Sequence, residues 1–375
     1  MNSKIWLSSP HMGGNEQKYI KEAFDSNWVA PLGPNVNGFE NDLENYLDQD
    51  IHVACLSSGT AAIHLALVQL GVGLDDEVIC QTFTFCGSAN PIKYVGASPV
   101  FVDSEEDTWN MCPIQLEIAI KDRIAKGKKP KAIIMVHLYG MPSKINEIVQ
   151  VAKNYNIPLV EDAAEALGST YKGQKCGTFG DFSILSFNGN KIITTSGGGA
   201  MVCKNAKEKE QTIFYATQAR DNAAHYEHTK VGYNYRMSNI SAGIGRGQME
   251  VLDKHIALRR RMNAFYQDLF KDVAGVYVLK ESNETVFSNH WLSCILIQDN
   301  APFSRDELFN KMQEANIETR PLWKPMHLQP VFKKEPFYGS KVSETLFEKG
   351  LCLPSGSNLN SEDLGRISSV IKALV

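Results

Sequence analysis

The stretch Ser186-Phe-Asn-Gly-Asn-Lys191-Ile-Ile-Thr-Thr-Ser-Gly-Gly-Gly199 decides the reading of this chain. Before the lysine runs an apolar, aromatic segment, Phe182-Ser-Ile-Leu-Ser-Phe187, patterned like a strand; after it, Ala200-Met-Val-Cys203 can re-enter a sheet. The small residues between them let backbone approach a bulky ligand closely. A lysine held in such a pocket can be partly desolvated, which lowers an amine's pKa from about 10.4 toward neutrality, where it can attack a carbonyl. That is the requirement for a Schiff-base lysine. A solvated lysine beside a flexible glycine turn is the plainer reading of the same residues, so the decision rests on the rest of the chain.

About thirty residues earlier stands Ile157-Pro-Leu-Val160-Glu161-Asp162-Ala-Ala-Glu165-Ala-Leu-Gly168. An apolar run ending in two acids reads as a buried parallel strand that delivers carboxylates at its C-terminal edge, where open α/β sheets bind ligands. Asp162 is placed to pair with a protonated ring nitrogen, and Glu165 follows by one turn. Acids capping a following helix would look the same. Pyridoxal phosphate chemistry, however, needs both a Schiff-base lysine and an acid on the pyridinium nitrogen. A third signal, Ser57-Ser58-Gly59-Thr60, lies between the strand-like Val53-Ala-Cys-Leu56 and a clean helix pattern. Such a helix start offers unpaired N–H groups and the positive dipole end to a phosphate, although an ordinary N-cap explains it equally well. Thr82-Phe-Thr-Phe85 adds an aromatic face that could stack on a ring or could belong to the core.

In this order, the Ser-Gly-Thr turn, the aromatic, Glu-Asp-Ala-Ala and Ser-Phe-x-x-x-Lys resemble the DegT/DnrJ/EryC1/StrS family of sugar aminotransferases. The resemblance runs from His11-Met-Gly-Gly-Asn15 and Trp28-Val-Ala-Pro-Leu-Gly33 through Gly232-Tyr-Asn-Tyr-Arg-Met-Ser-Asn239 to Thr319-Arg-Pro-Leu-Trp-Lys-Pro-Met-His327 and Cys352-Leu-Pro-Ser-Gly356. Asn188-Gly-Asn-Lys191, Thr217-Gln-Ala-Arg220 and Glu318-Thr-Arg-Pro-Leu-Trp323 look closest to bacterial enzymes of N-acetylbacillosamine-type pathways that form UDP-4-amino-4,6-dideoxy-N-acetylglucosamine. Many relatives read Thr-Thr-Gly-Glu-Gly-Gly after the lysine, where this chain has Thr-Thr-Ser-Gly-Gly-Gly.

The resemblance implies a fold-type I pyridoxal phosphate aminotransferase acting on a nucleotide-linked keto-sugar with L-glutamate as donor. Lys191 and Asp162 would be catalytic. Ser58, Gly59, Thr60, Phe85, Glu165, Ser186 and Asn188 would join them around the cofactor, with Asn234 supplied by the neighbouring subunit of a homodimer with shared sites. Asn27, Trp28, Ala30, Arg320, Trp323 and His327 become candidates for the sugar, and no metal is expected. Arg320 and Trp323 would serve equally well as packing at a domain junction. A second reading is the same chemistry on a GDP-linked 4-keto-6-deoxymannose or a 3-keto sugar. A third is a non-catalytic sensor of the same fold, which would need neither Lys191 nor Asp162.

Composition fits. With 38 basic and 42 acidic residues in 375, the net charge of −4 argues against nonspecific binding to nucleic acid or acidic membrane. Eight cysteines without a C-x-x-C pair support neither a zinc knuckle nor a thioredoxin-like motif. No leader and no apolar run of membrane-spanning length stand out, so a soluble cytoplasmic protein is expected. Candidate strands fall at about 51–56, 77–81, 99–103, 131–137, 157–161, 182–187 and 199–203, with helical patterns between most of them, including 143–155. That alternation predicts an α/β fold: a large domain, 1–250, with a mostly parallel mixed sheet covered on both faces, and a smaller C-terminal α+β domain, 251–375. Residues 238–269 read as helical and increasingly charged, as expected of a long connector to the smaller unit. His225 and His228 are spaced like metal ligands on a helix, without a third ligand. Gly243-Ile-Gly-Arg-Gly247 lacks the preceding strand that a dinucleotide fingerprint needs.

Overall fold

Runs of β-branched and apolar residues such as Glu77-Val-Ile-Cys-Gln81 and Ala132-Ile-Ile-Met-Val136 can be buried on both sides, as a central parallel strand requires. In the computed structural model, which describes residues 3–375, they form the middle of an eight-stranded sheet. In chain order the strands are β1 (His52–Leu56), β2 (Glu77–Gln81), β3 (Ser98–Val102), β4 (Ala132–Val136), β5 (Leu159–Asp162), β6 (Thr170–Tyr171), β7 (Gln174–Lys175), β8 (Phe182–Ser186) and β9 (Gly199–Cys203). They continue as β10 (Val276–Val278), β11 (Val286–Phe287), β12 (Ser293–Ile297), β13 (Arg320–Pro321), β14 (Phe337–Tyr338) and β15 (Gly350–Leu353). The helices are α1 (Glu16–Asp25), α2 (Pro34–Leu47), α3 (Gly59–Gln69), α4 (Cys86–Tyr94), α5 (Pro113–Ala125), α6 (Ile145–Asn154) and α7 (Ala206–Ala216). After them come α8 (Asn239–Met249), α9 (Leu252–Phe270), α10 (Arg305–Glu314), α11 (Val342–Lys349) and α12 (Ser361–Lys372).

The large sheet runs β1-β9-β8-β5-β4-β2-β3-β14, parallel throughout except for β9, which is antiparallel to both neighbours. Each candidate strand is present within two residues of its expected ends. Successive side chains point to opposite faces, so Ile79 and Ile133 enter one core while Cys80 and Ile134 enter the other. A separate antiparallel sheet, β10-β12-β15-β13, packs against α9, α10 and α12 through Tyr266, Ile295, Leu308, Leu351 and Ile367. The chain between 320 and 350 returns to the large sheet, where β14 pairs with β3. At the other margin the outward N–H groups of β1 are not left open. Val53 N donates to Glu44 Oε1 at 2.7 Å and Cys55 N donates to Glu40 Oε1 at 2.8 Å.

The helical connector 238–269 is present as two helices, because Val251 leaves helical geometry at φ −118°, ψ 6°. His225 and His228 lie in irregular chain, exposed, bonded to Glu227 and to the Gln218 carbonyl. The glycines of 243–247 are packing residues in α8. A Cβ on Gly245 would lie 2.6 Å from the Phe39 ring, and one on Gly247 would lie 2.7 Å from Glu16 N. Among the described residues no helix is long and apolar enough to cross a membrane.

His11 stacks on His255 with ring centroids 4.7 Å apart, fastening the N-terminal segment to α9. Burial first, then the charge of His11, pushes His255 down to about 4, and burial with Lys254 and Arg259 lowers His11. Below about pH 6.5 an unfolded chain binds protons that the folded one refuses. Stability should therefore fall as pH drops from about 6.5 to about 4. Thermal midpoints across that window should show the slope, and His255→Leu should flatten it.

Candidate active site

Parallel strands of one sheet end along one edge, and the chain segments leaving β1, β2, β4, β5 and β8 surround a cavity of about 750 Å³ there. Lys191 stands in the turn after β8. Its Nζ lies 3.0 Å from Glu165 Oε1 and 4.1 Å from the centroid of the Trp291 ring. The amine is therefore nearly buried and held between a carboxylate and an indole face. The backbone of this turn is held from distant parts of the chain. Trp291 Nε1 and Ser8 Oγ each donate to the Asn190 carbonyl at 2.7 Å. Arg259 donates to Trp291 O (2.6 Å), Ser8 Oγ (2.9 Å) and Lys191 O (3.4 Å). This guanidinium is buried, and burial pushes it down to about 9.

The two acids at the end of β5 point to opposite sides. Asp162 faces the cavity, where its Oδ2 accepts from Ser88 Oγ at 2.7 Å and its Oδ1 accepts from Ala164 N at 3.1 Å. No helix follows, so the helix-capping alternative falls away. Glu161 faces inward and accepts from Gly177 N, Phe179 N, Gly180 N and Ser183 Oγ at 2.6–3.0 Å, and from His137. Burial works against its charge, but these donors hold its carboxyl below the usual carboxylate range. With those oxygens spent, the nearby trio His137, Glu161 and Cys176 is a structural knot rather than a metal centre. Glu165 Oε2 accepts from Tyr139 N at 2.7 Å, and Tyr139 takes a left-handed φ of 56° to present that N–H. Burial raises the Glu165 carboxyl above its ordinary range, and Lys191 opposes the shift.

At the β1–α3 turn, Ser58 is an N-cap, its Oγ accepting from Ala61 N at 3.0 Å. The Gly59 and Thr60 N–H groups open the helix and have no intrahelical acceptor. The hydroxyls of Thr60 and Ser186 line the same corner. Gly199 lets β9 approach this corner, since a Cβ there would come within 2.3 Å of Gly59 N. Phe85, half-exposed at the start of α4, lies with its ring 5.4 Å from that of Trp323. Asn188, Arg320 and Trp323 also line the cavity. Arg320 donates to Glu318 Oε1, whose other oxygen accepts from Leu7 N.

Five expected residues are not brought to this chain's own cavity. His327 bonds to Thr82 Oγ1 at 2.7 Å and stacks on Phe337 at 3.8 Å, so its ring ties the end of β2 to β14. Asn27, Trp28 and Ala30 precede α2, in a segment held by Asn239 through the Trp28 and Ala30 carbonyls. Asn234 is exposed beside Thr217. The sequence reading missed Trp6, Ser8, Ser88, Tyr139, Arg259, Trp291 and Glu318 as parts of this site. For Arg259 a signal existed: Leu252, His255, Ile256, Arg259, Met262 and Tyr266 form one buried stripe at helical spacing.

A lysine on the turn between β8 and β9, an acid at the end of β5 and a free helix start after β1 meet at one edge because the sheet order puts those strands side by side. This is the arrangement of a fold-type I pyridoxal phosphate aminotransferase. The chain belongs to the DegT/DnrJ/EryC1/StrS aminotransferase family, whose profile matches residues 10–372. It is 50% identical over 375 residues to the Bacillus subtilis (strain 168) protein EpsN, named as a pyridoxal phosphate-dependent aminotransferase, covering 99% of this chain and 96% of that protein. It is 38% identical to GDP-perosamine synthase of Escherichia coli O157:H7, covering 96% and 95% of the two chains. A DegT DnrJ EryC1 StrS aminotransferase from Brucella abortus superposes with a TM-score of 0.89 at 30% identity, covering 96% and 95%. The sugar aminotransferase Spr1654 of Streptococcus pneumoniae, solved in PLP and PMP forms, superposes at 0.89 and 0.90, at 27% and 28% identity, over 98–100% of each chain.

The residues present suit pyridoxal phosphate: two free N–H groups and two hydroxyls for the phosphate, a carboxylate at the strand end, and an amine across from it. Gly199→Ala should push β9 off the helix start at a cost of about 1–3 kcal/mol. Denaturant titration should show that loss, and gel filtration of the variant should strip the cofactor more readily than from the parent.

Proposed function

We propose that this enzyme moves an amino group from L-glutamate to C4 of UDP-2-acetamido-2,6-dideoxy-4-keto-glucose, giving UDP-4-amino-4,6-dideoxy-N-acetylglucosamine and 2-oxoglutarate. The observation that carries the reaction type is the Lys191–Glu165 pair, 3.0 Å apart, in the cavity that Asp162 and the start of α3 also line. Pyridoxal phosphate, when bound, supplies the electron sink for the carbanion. Lys191 would carry the cofactor and, once displaced by the donor amine, take the proton from the donor Cα and later deliver one to the sugar C4. Glu165 would keep that amine aimed and balance its charge as it gains a proton. Asp162, steadied by Ser88, would hold the proton on the ring nitrogen. Gly59, Thr60 and Ser186 would bind the phosphate, with Ser58 fixing the helix start and Asn188 beside them. Phe85 would flank the ring.

The sugar assignment is supported by the three stretches around Lys191, Arg220 and Arg320, and by a relative named dTDP-4-amino-4,6-dideoxy-D-glucose transaminase, 31% identical over 383 residues. A GDP-linked 4-keto-6-deoxymannose is the second reading, favoured by the relatives named GDP-perosamine synthase. Because Asn234, Asn27, Trp28 and Ala30 stand outside their own cavity, we assign them to the neighbouring subunit's site in a cytoplasmic homodimer. Residues 1–250 would form its cofactor-binding unit and 251–375 its smaller one.

Glutamate should convert the bound cofactor to its amine form. After removal of the donor, the UDP-4-keto sugar should restore the aldehyde-form absorbance with an aminated UDP-sugar by mass spectrometry. No return would discard this sugar and send the test to the GDP-linked one. Arg320→Ala should raise the sugar KM at least about tenfold, as loss of a charged pairing does, with little change for glutamate. Equal effects on both KM values would mark Arg320 as structural.

A further inference from the structure

The N-terminal segment runs alongside the start of β13. Ile5 bridges Ile317 in parallel, Ile5 N donates to Asn316 O at 3.0 Å, and Glu318 N donates to Ile5 O at 2.8 Å. Extended chain alternates its side chains. Ile5 is buried and Leu7 packs against the core, while Trp6 between them is 52% exposed and lines the cavity. Ser8, two residues on where the chain bends, donates to Asn190 O, immediately before Lys191. Trp6, half-exposed where the Lys191 side chain is nearly buried, stands outward of the lysine on the cavity wall. The ammonium of Lys4 lies 4.1 Å from the centroid of its ring. Arg320 stands nearby, because Glu318 accepts both from its guanidinium and from Leu7 N.

A half-exposed indole is poor economy for a fold, but it is what a flat heterocycle needs for stacking. A nucleotide-linked sugar with its reacting carbon at Lys191 Nζ must carry its diphosphate and base outward, toward these residues. We infer that Trp6 is the stacking platform for the substrate's nucleobase, with Lys4 and Arg320 facing the diphosphate. The inference rests on the nucleotide-linked reading above and adds a subsite to it.

The test uses the cofactor-loaded enzyme and UDP alone as the probe, read by calorimetry and by inhibition of sugar amination. Trp6→Ala should weaken UDP about ten- to a hundred-fold, and Trp6→Phe should recover most of that, since stacking survives in phenylalanine. Cofactor absorbance and the thermal midpoint should match the parent's in both variants, which reports that they are folded and loaded. Equal UDP affinity in the parent and both variants would overturn the platform while leaving the nucleotide-linked reading intact. If the parent bound neither UDP, GDP nor dTDP, the nucleotide-linked reading would fall and the platform with it.

Discussion

A single buried guanidinium sets the geometry on which the site depends. Arg259 has no carboxylate partner among the hydrogen bonds it makes. Its two terminal nitrogens donate to the Trp291 and Ser355 carbonyls, to Ser8 and to the Lys191 carbonyl, while Nε makes no hydrogen bond among the described residues. Removing a cation from water is costly unless its donors are met, so the four segments that meet them are constrained together. They come from the N-terminus, the lysine turn and two stretches flanking the small sheet. The amine of Lys191 is thus located by backbone that cannot shift without leaving a buried charge unpartnered.

The same logic of fixed partners runs through the acids. β5 ends in adjacent carboxylates, and strand alternation sends them to different tasks. Glu161 becomes an anchor for the 177–180 turn, and Asp162 faces the cavity. Glu165 gains its position from Tyr139, whose left-handed backbone is the kind of local strain that a rigid surround sustains. Fixed dipoles and charges of this type need no rearrangement when charge develops beside them.

Much of this was legible before the fold was seen. Seven of the eight large-sheet strands follow from short apolar runs at regular spacing, and Lys191, Asp162 and Glu165 from acids and a lysine placed at strand ends. These are local signals. Trp6, Ser8 and Trp291 were hidden because their relation to Lys191 depends on contacts spanning a hundred residues or more. For His327 the chain path decides: its neighbours Arg320 and Trp323 line the cavity, while the turn of chain after β13 carries its ring against Phe337 of β14. The break at Val251 was invisible because apolar and charged residues keep helical spacing on both sides of it.

The glutamates beside β1 carry a consequence for the margins of the large sheet. A sheet normally ends in a row of open donors, an invitation to any passing strand. Here Glu40 and Glu44 close that row at Cys55 and Val53, and the opposite margin is only the two residues of β14. Neither margin of the large sheet offers a long open ladder to another strand, so at this sheet side-chain shape and charge, rather than generic backbone pairing, decide what can settle against it.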